Sequence, residues 1–120
     1  MILRKFAAAA LLVLGTAGLS GMAAPAHAAT GYDRCPSGHF CLFSASNGGG
    51  RIAYFRLGST DLRLQNIDGQ AYSLWNRTGQ YWRGFTDYNY RGGVIFQVLP
   101  GQQSNVPADV ATQVHSVKAA

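Results

Sequence analysis

The sequence predicts an all-β fold, a two-sheet sandwich built from two copies of one motif and preceded by a cleavable signal peptide. Three observations predict it. Residues 1–28 follow the pattern of an export signal, the rest of the chain consists of short apolar and aromatic runs between turn-forming residues, and the two halves of that part repeat each other. Because no long helical pattern extends through residues 29–120, strands have to supply the core.

The export signal occupies residues 1–28. Arg4 and Lys5 form a short basic region, an unbroken apolar run follows at 6–14, and small residues precede a cleavage site after Ala28 or one residue later. The apolar run is too short to cross a bilayer, since a spanning helix needs about 20 predominantly apolar residues. We therefore expect a secreted protein with no membrane span after removal of the signal.

The mature chain, residues 29–120, has the length of one domain and a net charge of +3, from eight basic and five acidic side chains. It has no Glu, and seven of its eight bases are arginines scattered along the chain. Nucleic-acid binders concentrate their positive charge on one face or in runs. We therefore expect no nucleic-acid partner, and the modest positive charge favours acidic partners. We also expect a monomer.

Cys35 and Cys41 are the two cysteines of the chain. In an exported protein they are expected to pair. A loop this short contributes about 2 kcal/mol to stability in the chain-entropy model, and it ties the start of the mature chain to the first strand. The spacing differs from the Cys-X-X-Cys of redox sites, and the sequence has no metal-ligand spacing typical of zinc.

Strands are predicted wherever β-branched and aromatic residues cluster between turn formers. The predicted strands are residues 40–43, 52–55, 71–75, 80–85, 94–99 and 114–118. Gly, Asn and Ser clusters at 46–50, 58–61 and 76–79 predict turns between them. We interpret Trp75 as a core residue.

The repeat is visible in the spacing of aromatic residues and glycines. Phe43 stands seven residues before Gly50, and Phe85 stands seven before Gly92, so both landmarks recur at an offset of 42 residues. A single copy has too little apolar surface to bury both of its faces. We therefore expect the two copies to pack face to face.

An aromatic residue, six arbitrary residues and a glycine, with a serine further on, resembles the Greek-key motif of the βγ-crystallins. Ser73 and Ser116 close the two copies, which extend over about residues 39–76 and 80–118. In such a motif the glycine reverses the chain at positive φ, the aromatic ring covers the hairpin, and the serine hydroxyl pins the hairpin to the sheet.

Further motifs extend along the mature chain: C-P-S-G-H-F-C-L-F at 35–43, S-L-W-N-R-T at 73–78, Y-N-Y-R-G at 88–92, L-P-G at 99–101 and V-H-S-V at 114–117. With them the chain resembles the actinobacterial peptidase-inhibitor family typified by the streptomycete metalloproteinase inhibitor. The resemblance implies a secreted, single-domain βγ-crystallin fold and inhibition of an extracellular metalloprotease.

Inhibition requires an exposed loop that enters a protease cleft in extended form and is rigid enough to lose little entropy on docking. The predicted contact loop is the tip of the second hairpin, which carries aromatic and arginine side chains of the kind that anchor interfaces. Its residues are Tyr88, Asn89, Tyr90 and Arg91. In the typified inhibitor a second disulfide braces the reactive loop, and this chain has no second cysteine pair.

No enzyme activity and no catalytic residue are expected. His39 and His115 are interpreted as exposed strand residues, and a histidine beside a serine in a strand points to the opposite face, so the neighbours His115 and Ser116 cannot form a nucleophile–base pair.

Calcium is the one candidate cofactor that the motif suggests. Many βγ-crystallins bind it through acidic or amide residues just before the closing serine, together with a hydroxyl beside it, and hard oxygen ligands suit calcium. The first copy, D-G-Q-A-Y-S at 68–73, keeps Asp68 of that set, and the second, A-T-Q-V-H-S at 111–116, keeps no acid. We expect no cofactor and regard Asp68 as the only plausible calcium ligand.

Two alternatives to a protease inhibitor stay open. Some secreted microbial βγ-crystallin domains resemble killer toxins, and positive charge with exposed aromatics suits an envelope-directed toxin or binding module. The other alternative is a calcium-stabilised structural or binding protein. Both would also be secreted.

Overall fold

The computed structural model describes residues 28–120, where eight strands form two antiparallel four-stranded sheets. The strands are β1 Phe40–Ala45, β2 Gly49–Phe55, β3 Gly58–Ser59, β4 Ser73–Asn76, β5 Trp82–Phe85, β6 Val94–Val98, β7 Gln103–Asn105 and β8 Ser116–Ala119. Single 3₁₀ turns occur at Gly31–Arg34, Ser46–Gly48, Leu62–Gln65 and Tyr88–Tyr90, and one short helix, α1, at Ala108–Ala111. The all-β prediction is confirmed, and the predicted signal peptide lies almost entirely outside the described residues.

The sheets exchange strands between the two halves of the chain. Sheet 1 has the order β2-β1-β4-β7 and sheet 2 the order β3-β8-β5-β6. Each sheet therefore contains three strands of one half and one strand of the other, so that neither half can separate without breaking a ladder. All six predicted strands are present. Strands β3 and β7 were not predicted, because they are two and three residues long and lack apolar alternation.

The core lies between the two sheets. Phe40 of β1 stacks on Trp82 of β5 with ring centroids 4.5 Å apart and an interplanar angle of 13°, and both side chains are fully buried. The buried apolar residues around them come from both sheets and from the loops: Leu42, Ala53, Phe55, Leu62, Ile67, Ala71, Leu74, Val98, Val114 and Val117. Burial of each large side chain contributes roughly 1.5–3 kcal/mol. This inter-sheet contact confirms that the copies pack face to face.

A second, smaller cluster lies on the outer face of sheet 1. The Cys35–Cys41 disulfide is present and buried there with Phe43. Trp75 belongs to this cluster, and its ring is covered by the guanidinium of Arg77 at 4.6 Å. The prediction that Trp75 is a core residue was therefore wrong: its neighbour along β4 points into the core, so Trp75 points outwards and stays partly exposed.

Candidate functional site

The tip of the first hairpin, the turn Ser46–Gly48, is fixed by a buried hydroxyl. Ser73 Oγ donates to the carbonyl oxygen of Ala45 at 2.7 Å and accepts from the amide of Gly48 at 2.9 Å. The hydroxyl thus satisfies two backbone groups at the turn and attaches it to strand β4. Because Ser73 is fully buried, water cannot replace these bonds.

The tip of the second hairpin, the turn Tyr88–Tyr90, is fixed in the same way. Ser116 Oγ donates to the carbonyl oxygen of Asp87 at 2.6 Å and accepts from the amide of Tyr90 at 3.1 Å. Ser116 is also fully buried. Each tip is therefore attached to the last strand of its own half.

Gly50 and Gly92 follow the two tips at φ +69° and +73°, where the chain reverses. A Cβ on either glycine would collide with the hydroxyl of Ser44 or of Thr86. Those hydroxyls accept from the next backbone amides, that of Arg51 at 2.7 Å in the first hairpin and that of residue 93 at 2.9 Å in the second.

The two hairpin aromatics are covered by different parts of the chain. The ring of Phe43 is covered by Tyr32 from the N-terminal turn, edge to face at 5.3 Å. The ring of Phe85 is covered by Tyr90, a residue of its own hairpin tip, at 5.7 Å. Phe85 is 7% exposed and Phe43 fully buried.

Contacts with the first half of the chain also hold the second tip in place. The hydroxyl of Tyr88 donates to Asp68 Oδ2 at 2.8 Å, and the amide of Asn89 donates to the carbonyl oxygen of Thr60 at 2.8 Å. The hydrogen bond to the carboxylate raises the pKa of Tyr88 above its ordinary value, because the bond exists only with the neutral phenol. The tip that the sequence predicts as the contact loop is thus joined to both halves of the domain.

A cation lies over the ring of Tyr88. The guanidinium carbon of Arg63 is 4.1 Å from the ring centroid, and the group is held there by Asp61, whose carboxylate accepts from Arg63 Nε and Nη2 at 2.9 Å each. This forked hydrogen bond holds the pKa of Asp61 below its usual range.

At the tip itself, Asn89 and Arg91 are exposed, whereas Tyr88 and Tyr90 are half-buried. Asn89 and Tyr90 have φ of +59° and +61°, so the tip is a tight 3₁₀ turn with left-handed residues. The expected extended conformation is therefore absent from this loop: serine pinning and the contacts to Thr60 and Asp68 fold it into a convex knob.

The two histidines differ from the expectation that both are exposed strand residues. Each lies just before a strand and is half-buried. His115 Nδ1 is 2.7 Å from Asp68 Oδ1, and its ring centroid is 5.1 Å from that of Tyr88. His39 contacts the carbonyl oxygen of Ser37 and the edge of Tyr54. The carboxylate of Asp68 thus holds His115 beside Tyr88 of the second hairpin tip.

The sequence did not point to Thr60, Arg63 or His115 as partners of the tip. They are separated from Tyr88 by more than 20 residues, and no spacing rule connects a threonine carbonyl, an arginine and a histidine. Asp68 was singled out, but as a calcium ligand rather than as the acceptor that joins Tyr88 to His115.

The residues around Asp68 do not fit a calcium ion. Both carboxylate oxygens are already engaged, Oδ2 by the hydroxyl of Tyr88 and Oδ1 by His115. Calcium takes six to eight oxygen ligands, and an imidazole is a poor one. Across residues 28–120, no group of three or more His, Cys, Asp or Glu side chains is close enough together to hold a metal ion.

Residues 28–120 form no pocket. Nor does any helix in this region have the length and apolar character needed to span a membrane.

Comparison with known families gives one match: residues 28–97 fit the model of peptidase inhibitor family I36. This segment covers more than half of the chain and includes the disulfide and the second hairpin tip. No curated protein matches the chain.

Among solved structures, the chain is similar to a βγ-crystallin from Ciona intestinalis, with 23% identity and a TM-score of 0.59 over 69% of this chain and 100% of that one. It is also similar to a βγ-crystallin domain from Clostridium beijerinckii, with 19% identity and a TM-score of 0.58 over 68% and 95% of the two chains. A structure concerned with the evolution of the eye-lens βγ-crystallin domain fold has 16% identity and a TM-score of 0.63, over 72% and 89%. At these identities the likeness concerns the fold.

Proposed function

Because the chain belongs to peptidase inhibitor family I36, we propose that it is a secreted inhibitor of an extracellular metalloprotease. Membership in the family implies a protease as partner and a non-enzymatic role. The choice of a metalloprotease rests on the resemblance to the streptomycete inhibitor. Secretion is supported by the N-terminal signal pattern and by the buried Cys35–Cys41 disulfide, which persists in oxidising compartments.

The observation that carries the proposal is the way in which the second hairpin tip is held. Asn89 and Arg91 project into solvent from a turn whose backbone is bonded to Ser116 and Thr60 and whose Tyr88 is bonded to Asp68. A loop that is already ordered loses little conformational entropy when it enters a cleft. The tip therefore has the rigidity that an inhibitor needs.

These non-covalent contacts take the role that a second disulfide has in the typified inhibitor. The Tyr88–Asp68 hydrogen bond and the Asn89–Thr60 hydrogen bond connect the tip to a loop about 20 to 30 residues earlier in the chain. The guanidinium of Arg63 lies over the Tyr88 ring. These contacts form a tip brace that can hold the loop without a second pair of cysteines.

The folded conformation of the tip favours steric blocking over a substrate-like mode. A substrate-like loop presents extended backbone to a protease, whereas Asn89 and Tyr90 are left-handed and their amides bond within the domain. In the proposed mode the knob formed by residues 88–91 fills the mouth of the cleft. No bond of the inhibitor then lies in position to be cleaved.

The test is a titration of the form beginning at residue 29 against a panel of extracellular proteases, with a thermolysin-type metalloprotease and a subtilisin-type serine protease as its two arms. The proposal predicts loss of activity of the metalloprotease with increasing inhibitor and recovery of intact inhibitor afterwards. Full metalloprotease activity at a large molar excess of folded protein would overturn it. Inhibition of microbial growth, or binding to cell walls, without inhibition of any protease would favour the envelope-directed alternative instead.

A further inference from the structure

The outer face of sheet 2 carries positive charge and no acidic side chain. Its four strands contain two cations, Arg83 and Lys118, and no Asp or Glu. Arg83 and Lys118 are directly opposite each other in the β5–β8 register. Directly opposed like charges destabilise a sheet, so this pair costs stability that an acidic partner would restore.

Apolar and aromatic side chains border this charge at one end of the sheet. Tyr81 and Leu99 flank the buried pair Trp82 and Val98, and they are 46% and 53% exposed. Gln97 lies beside the charged pair, where its Oε1 accepts from Arg83 Nε at 3.2 Å. Tyrosine and arginine are both enriched at protein interfaces.

The face is continuous with the second hairpin tip. The Nζ atom of Lys118 lies 4.8 Å from the ring centroid of Tyr90, which belongs to the tip. Lys118 is opposite Arg83 on β5, and Arg83 is opposite Gln97 on β6, so the face continues across the sheet through these three residues. The charged pair therefore lies between the tip and the end of the sheet where Tyr81 and Leu99 are exposed.

The equivalent face of sheet 1 is partly covered by the protein itself. The turn Gly31–Arg34 and the disulfide lie on it: Tyr32 contacts Phe43, the Arg34 guanidinium lies 5.5 Å from the Phe43 ring, and both cysteines are buried. On sheet 2 the ring of Tyr90 covers Phe85, but Arg83, at the position equivalent to the buried Cys41, is exposed. The pseudo-symmetry of the domain thus leaves a charged position open next to the tip, where its equivalent on sheet 1 is buried.

We propose that this face, defined by Tyr81, Arg83, Gln97, Leu99 and Lys118, is a second contact region for the protease and meets an acidic surface beside the protease cleft. The inference rests on the proposed function and adds a partner chemistry to it. The tip fills the cleft, and the face supplies electrostatic steering and an aromatic contact. Charged residues around an interface chiefly increase the association rate, whereas packed aromatics slow dissociation.

The experiment compares association and dissociation rates of variants with the metalloprotease that the wild type inhibits. For Arg83→Gln with Lys118→Gln we expect association about tenfold slower at low salt, with the difference disappearing at high salt, where exposed charges are screened. The control, Arg51→Gln with Arg77→Gln, removes the same charge from β2 and from the residue that follows β4, and it should associate at the wild-type rate. Melting temperatures of both double variants establish that they are folded.

A second pair of variants tests the aromatic contact. Tyr81→Ala should dissociate about tenfold faster, in the range found for interface hot spots. Tyr54→Ala, which truncates an exposed tyrosine of sheet 1, should dissociate at the wild-type rate. If the sheet 2 variants inhibit as well as the wild type, the face is not a contact and the inhibitor function stands. If the wild type inhibits no protease, the proposed function and this inference are both overturned.

Discussion

Tyr90 has φ +61° at the position where the first repeat has Gly48 with φ +70°. The amides of both residues donate to the closing serine of their own repeat, at 3.1 and 2.9 Å. The backbone at this position thus has the same conformation in both repeats, but only the second repeat has a side chain there. At Gly48 the space for a side chain is taken by the backbone of Tyr32, whereas at Tyr90 the ring itself covers the hairpin aromatic.

This relationship predicts that Gly48→Ala is among the most destabilising small substitutions. Its Cβ would lie 2.8 Å from the carbonyl carbon of Gly31 and 2.9 Å from the Cα of Tyr32, in addition to the cost of positive φ. We expect a loss of at least about 2 kcal/mol, seen as a melting temperature lower by about 10 °C. The control is Gly79→Ala, since a Cβ there meets no atom within 4 Å. Equal stability of the two variants would contradict the prediction.

The closing serines predict matched losses in the two repeats. Ser73→Ala and Ser116→Ala each leave one buried amide and one buried carbonyl without their hydroxyl partner. Each should lower the free energy of unfolding by about 1–3 kcal/mol in urea titrations. Ser37→Ala, at an exposed position, should leave it unchanged. A loss confined to one of the two serine variants would show that the repeats are not pinned alike.

How much of the fold could be predicted from the sequence depends on how far apart along the chain the interacting residues lie. The aromatic and glycine spacing around Phe43 and Gly50 is local, and it was sufficient to predict the two motifs and the sandwich. The strand exchange was not predicted, because β3 and β7 owe their existence to pairing with β8 and β4 rather than to their own residues.

For the candidate site, too, the local features could be predicted from the sequence and the long-range contacts could not. The location of the second tip followed from the repeat, but its brace did not, since the Tyr88–Asp68 contact joins residues 20 positions apart through side chains alone. The extended shape expected for the tip also failed, because the residues that fold it, such as Thr60, act through their backbone and leave no mark in the sequence.

Alkaline pH provides a test of the tip brace. The pKa of Tyr88 is raised by its hydrogen bond to Asp68, so the stabilisation from this bond is complete below the ordinary tyrosine pKa and is lost as the pH rises through the higher folded value. NMR of ¹³C-labelled tyrosine rings should find Tyr88 titrating above the ordinary pKa of tyrosine. Asp68→Asn should bring the pKa of Tyr88 down towards that ordinary value. Titration of Tyr88 at the ordinary value in the wild type would contradict the brace.

Calcium should leave the stability of the protein unchanged. The carboxylate of Asp68 is engaged by Tyr88 and His115, so an added ion has to compete with two existing bonds. Differential scanning calorimetry with calcium and with chelator should give the same melting temperature. A rise with calcium that disappears in Asp68→Ala would contradict this reading and favour the calcium-stabilised alternative.

The disulfide should contribute stability without shaping the tip. Replacement of both Cys35 and Cys41 by serine removes the cross-link on sheet 1, and we expect a loss of about 2 kcal/mol in urea unfolding at neutral pH. The tip and the outer face of sheet 2 lie on the other sheet, so inhibition below the unfolding temperature should be retained. Loss of inhibition in a folded double variant would instead place sheet 1 in the contact.

The most direct test of the central claim is the inhibition constant for a thermolysin-type metalloprotease, measured with the wild-type form from residue 29, with Arg91→Ala at the second tip and with Arg51→Ala beside the first tip. The account predicts inhibition by the wild type, inhibition weakened about tenfold or more in Arg91→Ala, and wild-type inhibition in Arg51→Ala. Inhibition that is equally strong in all three proteins, or absent in the folded wild type, would contradict it.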